Sequence, residues 1–161
     1  MKAINWHKAK HTYLARWLWE REYVDMWSIV HLTTGMCFGF CIFFYDSPFK
    51  ESFVVFIVLT IVWEIIEYYD QAKETLGNQI MDVVSGALGF WATKSFIPVL
   101  APNLKGQLIY FTVIYIIAWS LAYLGFISFA LHLNRDVEKY KKSFSAAVLI
   151  YILVMSILYF I

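Results

Sequence analysis

Charged residues are scarce in this chain of 161 residues, since Asp, Glu, Lys and Arg together make up only 16% of it. A typical soluble domain has about 25% charged and about 45–50% apolar residues. Here 61% of the residues are hydrophobic, and the excess is concentrated in long runs. This composition argues against an ordinary soluble domain and predicts one polytopic membrane domain without a separate soluble module.

Common signatures of enzymes and of nucleic-acid binding are also missing. The sequence contains no G-x-S-x-G, H-E-x-x-H or P-loop pattern. The net charge of +1 gives no reason to expect a nucleic-acid partner. The only two cysteines, Cys37 and Cys41, lie four positions apart in one apolar run. We expect them to pack as small apolar side chains, with a disulfide or a metal role as the less favoured alternatives.

The apolar runs predict an all-α fold, a bundle of about five transmembrane helices. Their approximate bounds are 26–45, 51–69, 78–97, 107–131 and 143–161. Residues 1–24 combine basic and large aromatic residues, which is typical of an amphipathic helix at the membrane interface. This segment would precede a transmembrane domain at 25–161. A partly ordered cytoplasmic tail is the alternative for residues 1–24, and a count of four spans stays open.

Basic residues are distributed unevenly between the segments that flank the spans. With five spans, residues 1–24, 70–78 and 132–142 would share one side and contain ten Lys and Arg residues. Residues 46–50 and 94–106 would lie on the other side with three. The positive-inside rule therefore predicts an integral protein of the cytoplasmic membrane with its N-terminus inside and its C-terminus outside.

Ionisable residues nevertheless occur within or at the ends of the first three spans. His31 lies near the start of the first span, Glu64 and Glu67 near the end of the second, and Asp82 near the start of the third. Because successive spans alternate in direction, all of them fall in one layer near the cytoplasmic face. The short link after the second span makes it an antiparallel neighbour of the third. We therefore expect these side chains to form one cluster.

Five further residues support this cluster. Asn78 and Asp70 would lie at its mouth, at the cytoplasmic ends of the helices. Gly35 and Gly39 share a helix ridge with the histidine of the cluster, and Gly86 lies on the cluster face of the third span. Small residues at such spacing allow transmembrane helices to approach closely.

Each member of the cluster also has an ordinary structural interpretation. His31 could be a core histidine that is bonded to a backbone carbonyl. Glu64 and Glu67 could face a water-filled mouth. Asp82 could be favoured near a helix start by the helix dipole, with Asn78 as the N-cap. The common depth of these groups favours a shared site over separate explanations.

Three short motifs resemble those of VanZ-like and YjdF-like small membrane proteins. They are H-x-x-x-G at His31–Gly35, W-E-x-x-E at Trp63–Glu67 and N-x-x-x-D-x-x-x-G at Asn78–Gly86. The resemblance covers about residues 25–92 and implies a small helical membrane protein with intramembrane acidic residues. It implies no particular reaction, although one branch is associated with glycopeptide resistance. The basic residue that the VanZ branch carries near the start of its third span has no counterpart here.

The donor set suggests a cation-dependent site near the cytoplasmic leaflet. One imidazole and three carboxylates suit a divalent cation such as Mg²⁺, Mn²⁺, Zn²⁺ or iron. Such a site could bind or act on a lipid-like or phosphate-bearing molecule. The alternatives are an accessory subunit of a membrane complex, in which the cluster holds helices together, and ion or proton translocation. Membrane lipids are the expected partners, together with homo- or hetero-oligomerisation within the membrane.

Basic residues on the same side would draw anionic headgroups towards this site, at about 1 kcal/mol for each one near the surface. The residues expected to contact headgroups are Lys8, Lys10, Arg16, Arg21, Arg135, Lys139, Lys141 and Lys142.

Overall fold

The computed structural model of the protein describes three long segments and several short ones. These are residues 23–44, 48–69 and 75–132, together with 142, 145–146, 148–153 and 156–157; side chains at 67–69, 128–129 and 131–132 are not included. The expected interfacial helix therefore lies almost entirely outside the described residues, as do Asp70 and every expected headgroup contact except Lys142. Lys142 itself is exposed.

Four long helices form the described core, and the described residues contain no strand. The helices are α1 (Met26–Phe44), α2 (Phe49–Tyr69), α3 (Leu76–Leu100) and α4 (Leu104–His132). The all-α fold expected from the sequence is confirmed.

Three of these described segments are long and apolar enough to cross a membrane, namely Met26–Phe44, Leu76–Leu100 and Leu104–Ile127. They support an integral membrane protein. The second expected span, 51–69, is not among them, and only parts of the fifth, 143–161, are described, so the count of five stays a prediction.

A side-chain cap fixes the start of α1. The Oδ1 atom of Asp25 accepts hydrogen bonds from the backbone N–H groups of Trp27, at 2.7 Å, and Ser28, at 3.3 Å. The N–H of Asp25 in turn donates to Ser28 Oγ at 3.4 Å. This reciprocal arrangement satisfies backbone donors that a helix start otherwise leaves without partners.

Helix α3 begins two residues before the expected position 78, because Thr75 is its N-cap. The Thr75 side chain accepts a hydrogen bond from the backbone N–H of Asn78 at 3.1 Å. The interpretation of Asn78 as the N-cap is therefore wrong. Asn78 belongs to the first turn of α3, so its side chain is available for contacts with other residues.

The far end of α3 continues past the expected position 97. Pro98 lies inside the helix, which ends at Leu100. Proline has no N–H and so removes one helical hydrogen bond, but the backbone N–H of Ala101 still donates to Ile97 O at 2.9 Å. A single lost bond in the last turn does not end the helix.

Helices α1 and α3 run parallel and approach each other closely. A Cβ atom added at Gly35 would overlap the carbonyl oxygen of Gly86. A Cβ added at Gly39 would lie only 2.7 Å from the carbonyl oxygen of Phe90. At Gly35 and Gly39 a side chain would therefore push the two backbones apart, as expected for small residues between close helices. A Cβ at Gly86 would instead meet the ring of Phe56 at 3.3 Å, and it is the Gly86 carbonyl that contacts Gly35.

Helix α2 runs antiparallel to this pair and packs on it through phenylalanine rings. The rings of Phe49 and Phe53 each have their centroids 5.4 Å from that of Phe90 on α3, and the ring of Phe56 lies at 5.1 Å. Aromatic rings at such separations pack favourably. They attach the half of α2 that lies farther from Glu64.

Helix α4 covers another face of α1. Trp27 meets Phe126 at a centroid distance of 5.1 Å, and Phe40 stacks on Phe111 at 4.7 Å. Cys37 and Cys41 pack beside Phe40 as partly buried free thiols. These contacts join α4 to α1.

We expect Gly35→Ala to lower the free energy of unfolding by about 1–3 kcal/mol, because the added methyl group must separate two backbones. The measurement is equilibrium unfolding in mixed detergent micelles. The matched control is Gly106→Ala, since a Cβ there would come no closer than 3.3 Å to another atom. We expect that change to stay within about 1 kcal/mol. Equal effects of the two substitutions would contradict the close contact.

Candidate functional site

Three ionisable side chains from three helices meet in one buried cluster. His31 of α1, Glu64 of α2 and Asp82 of α3 each offer a ligand atom, and these atoms all lie within 4.8 Å of one another. His31 Nε2 is 3.4 Å from Glu64 Oε1. The residues are only 8%, 6% and 0% exposed, respectively. The structure thus brings together three of the four residues that the sequence suggested.

Helix lengths and directions explain why the three groups lie at one level. His31 is five residues from the start of α1, and Asp82 is six residues from the start of α3. At about 1.5 Å per residue, these positions are roughly 8–9 Å along two parallel helices. Glu64 is five residues before the end of the antiparallel α2. The cluster therefore lies inside the bundle, about one and a half turns from one end.

The Asp82 carboxylate receives a hydrogen bond at each of its oxygens. Ser28 Oγ donates to Oδ1 at 2.5 Å, and Asn78 Nδ2 donates to Oδ2 at 3.3 Å. Donors directed at a buried carboxylate stabilise its charged form and fix its orientation. Asn78 is fully buried, and its own Oδ1 has no hydrogen-bond partner among the described residues.

Ser28 is a member of the site that sequence reasoning missed. The start of α1 is capped by the Asp25 side chain, and the Ser28 hydroxyl is directed at Asp82. Its spacing contained the signal, because Ser28 precedes His31 by three positions and so lies on the same helix face. A small hydroxyl residue at that position is able to reach the neighbouring helix.

The remaining expected members are only partly described. Asn78 contacts the cluster through Asp82, as expected for a supporting residue. The backbone of Glu67 belongs to α2, one turn beyond Glu64 towards the helix end, but its side chain is outside the described set. Asp70 is outside it entirely.

The arrangement combines features that suit cation binding. Two carboxylates and one imidazole converge, and they carry a formal charge of −2 when the imidazole is neutral. Burying such charge without compensation costs several kcal/mol, about the penalty known for unpaired buried ions. A cation among the three groups would offset that penalty. The same atoms can also join the helices directly, as the short His31–Glu64 separation indicates.

Comparison with known proteins assigns neither a family nor a function to this cluster. No protein-family model matches the chain, and neither a curated protein nor a solved structure shows significant similarity to it.

We expect Ser28→Ala to destabilise the protein by about 1.5–3 kcal/mol, because a buried carboxylate oxygen loses a hydrogen-bond donor and the backbone N–H of Asp25 loses a long, weaker contact. Equilibrium unfolding in mixed micelles measures the change. Ser95→Ala is the matched control, since the Ser95 hydroxyl is exposed and, among the residues that the structure describes, bonds to a carbonyl of its own helix. A loss at Ser28 no greater than the loss at Ser95 would show that the contact with Asp82 contributes nothing.

Proposed function

We propose that His31, Glu64 and Asp82 bind a divalent cation, and that this cation holds a phosphate-bearing or lipid-like molecule at the cytoplasmic leaflet. The observation that supports this proposal best is the convergence of the three ligand atoms within 4.8 Å of one another. The side chains come from three different helices, so only the folded bundle assembles the full set.

The donor types narrow the choice of cation. Imidazole suits zinc and iron, whereas carboxylates suit magnesium, calcium and manganese. A mixed set with one nitrogen and at least two oxygens therefore favours Mn²⁺, Fe²⁺ or Zn²⁺ over Mg²⁺. Asn78 Oδ1 is a further oxygen donor beside Asp82, and Glu67 is a candidate from its sequence position.

Support from outside the cluster comes from charge. An acidic pocket alone repels a phosphate group, whereas a bound divalent cation can contact both the carboxylates and the phosphate. Basic residues concentrate in the segments expected on the cytoplasmic side, which would draw anionic headgroups to the same leaflet. The cytoplasmic orientation and the resemblance to VanZ-like proteins are parts of the same proposal.

The second candidate is a structural role in an accessory subunit. The bond from Ser28 to Asp82 and the His31–Glu64 contact already join three helices without an ion. Polar contacts of this kind stabilise membrane helix pairs by about 0.6–2 kcal/mol each. In that case, the cluster would hold the helices in place and bind nothing.

Ion or proton translocation has less support. It would require polar groups that continue across the bundle beyond the cluster. In the half of α2 that lies farther from Glu64, the described contacts with α3 are largely those of three phenylalanine rings with Phe90. These rings belong to Phe49, Phe53 and Phe56. Such a packed aromatic region is a barrier to ions rather than a path for them.

We expect purified wild-type protein to retain about one Mn²⁺, Fe²⁺ or Zn²⁺ per chain after reloading, and to lose it on substitution Glu64→Gln. The amide keeps the shape of the side chain but lacks its charge. Elemental analysis by mass spectrometry measures the metal. Metal at a hundred times its Kd should also stabilise the wild type by about 2.7 kcal/mol.

The matched control for metal binding is Glu51→Gln, at an exposed glutamate near the start of the same helix. This variant should bind metal and respond to it as the wild type does. A wild type that binds no metal, combined with a Glu64→Gln variant that unfolds, would contradict the cation site and support the structural role.

We also expect a chelator and the substitution Asp82→Ala each to reduce the amount of anionic lipid that stays bound to the protein. The physical reason is that the cation links the lipid phosphate to the carboxylates. Native mass spectrometry with phosphatidic acid in mixed micelles counts the bound lipid, and circular dichroism checks that the variant remains folded. Lipid binding that is insensitive to both treatments would place the lipid site elsewhere.

A further inference from the structure

The hydroxyl of Ser28 bonds differently from other hydroxyls in the described helices. A serine or threonine inside a helix commonly donates to the backbone carbonyl four residues earlier. The residues that do so here are Thr33, Thr60, Ser95, Thr112 and Ser156. The residue four positions before Ser28 is Val24, which precedes the start of α1. Because no helical carbonyl lies at that position, the Ser28 hydroxyl can donate to a neighbouring helix.

The start of α1 helps to direct this hydroxyl at Asp82. The backbone N–H of Asp25 donates to Ser28 Oγ at 3.4 Å, and Ser28 Oγ donates to Asp82 Oδ1 at 2.5 Å. The backbone N–H of Ser28 in turn donates to Asp25 Oδ1 at 3.3 Å, as part of the helix cap. The residue that caps α1 therefore also holds the residue that contacts the cluster.

Asp82 is consequently held at both of its oxygens. Ser28 reaches Oδ1 from α1, and Asn78 Nδ2 donates to Oδ2 at 3.3 Å from the same helix as Asp82. Two donors on different oxygens oppose rotation of the carboxylate. Ser28 and Asp82 are only 3% and 0% exposed, so bulk water has little access to the contact between them.

The position of Glu64 indicates that this contact does more than join two helices. Ligand atoms of Glu64, Asp82 and His31 all lie within 4.8 Å of one another. Carboxylates at such a separation repel each other, so Glu64 weakens an arrangement whose only task is to link α1 to α3. A cation between the carboxylates reverses that effect. A carboxylate that is already held in place then does not have to be reoriented when the ion binds.

We propose that Ser28 is a positioning residue of the cation site, which holds the Asp82 carboxylate in the orientation that binds the ion. This role rests on the cation site proposed above. Hydrogen-bond partners of metal-binding side chains contribute about 10- to 100-fold to metal affinity. The Ser28 hydroxyl contributes an amount of this size without contacting the ion.

Two variants of matched shape at position 28 test this role. Threonine and valine side chains differ mainly in that threonine carries a hydroxyl. Zn²⁺ is titrated in competition with a chromophoric chelator, with each protein folded in mixed micelles. Ser28→Thr should bind Zn²⁺ about 10- to 100-fold more tightly than Ser28→Val does. Ser28→Ala, which adds no bulk, should bind Zn²⁺ more weakly than the wild type by a similar factor.

Thr33 provides the matched control on the same helix. It is buried, and its described hydrogen bonds, to Ile29 O and Val30 O, stay within α1. Thr33→Val should therefore bind Zn²⁺ as tightly as the wild type does. Because the affinity is measured on folded protein, a hydroxyl that only stabilises the fold leaves it unchanged.

The same titrations distinguish failure of the positioning role from failure of the cation site. If the wild type binds Zn²⁺ but either comparison at position 28 shows no difference, the role of Ser28 is overturned and the cation site stands. An equal loss of affinity in Thr33→Val overturns it as well. If the wild type binds no Zn²⁺, both proposals fall. A loss in Ser28→Val and Ser28→Ala that is absent from Ser28→Thr and Thr33→Val would support both.

Discussion

The close contact between α1 and α3 is the constraint on which the rest of the structure depends. Gly35 meets Gly86, and each glycine lies one helical turn after a cluster residue, His31 and Asp82 respectively. Because the two helices run parallel, contact at the glycines brings the imidazole and the carboxylate to the same level. A larger residue at the contact would separate the backbones and the two functional groups together.

Much of this arrangement could be predicted from the sequence, because it follows from spacing. The steps of four residues from His31 to Gly35 and Gly39, and from Asp82 to Gly86, place each ionisable group on the same helix face as its glycines. Antiparallel connection of α2 then brings Glu64 to that level. Apolar length and helical periodicity were sufficient for the helix class and for the approximate bounds.

Other features depend on contacts that spacing alone does not contain. Whether the Ser28 hydroxyl also donates to Asp82 depends on how far α3 lies from it. The N-cap of α3 is Thr75, and the Asn78 side chain donates to Asp82 instead of capping the helix. The expected end of this helix at position 97 was too early, because the one hydrogen bond lost at Pro98 near the helix end does not stop the helix.

The tight helix pair also has a consequence for assembly, because α1 and α3 are not consecutive in the chain. Because synthesis proceeds from the N-terminus, α1 and α2 are made before α3, so His31 and Glu64 are present before Asp82 and the glycine surface that aligns them. Membrane helices insert individually and then associate. The cluster is therefore completed late, and α1 keeps its glycine face open until its non-neighbouring partner arrives. The order of synthesis thereby separates the appearance of the first two cluster residues from the formation of the site.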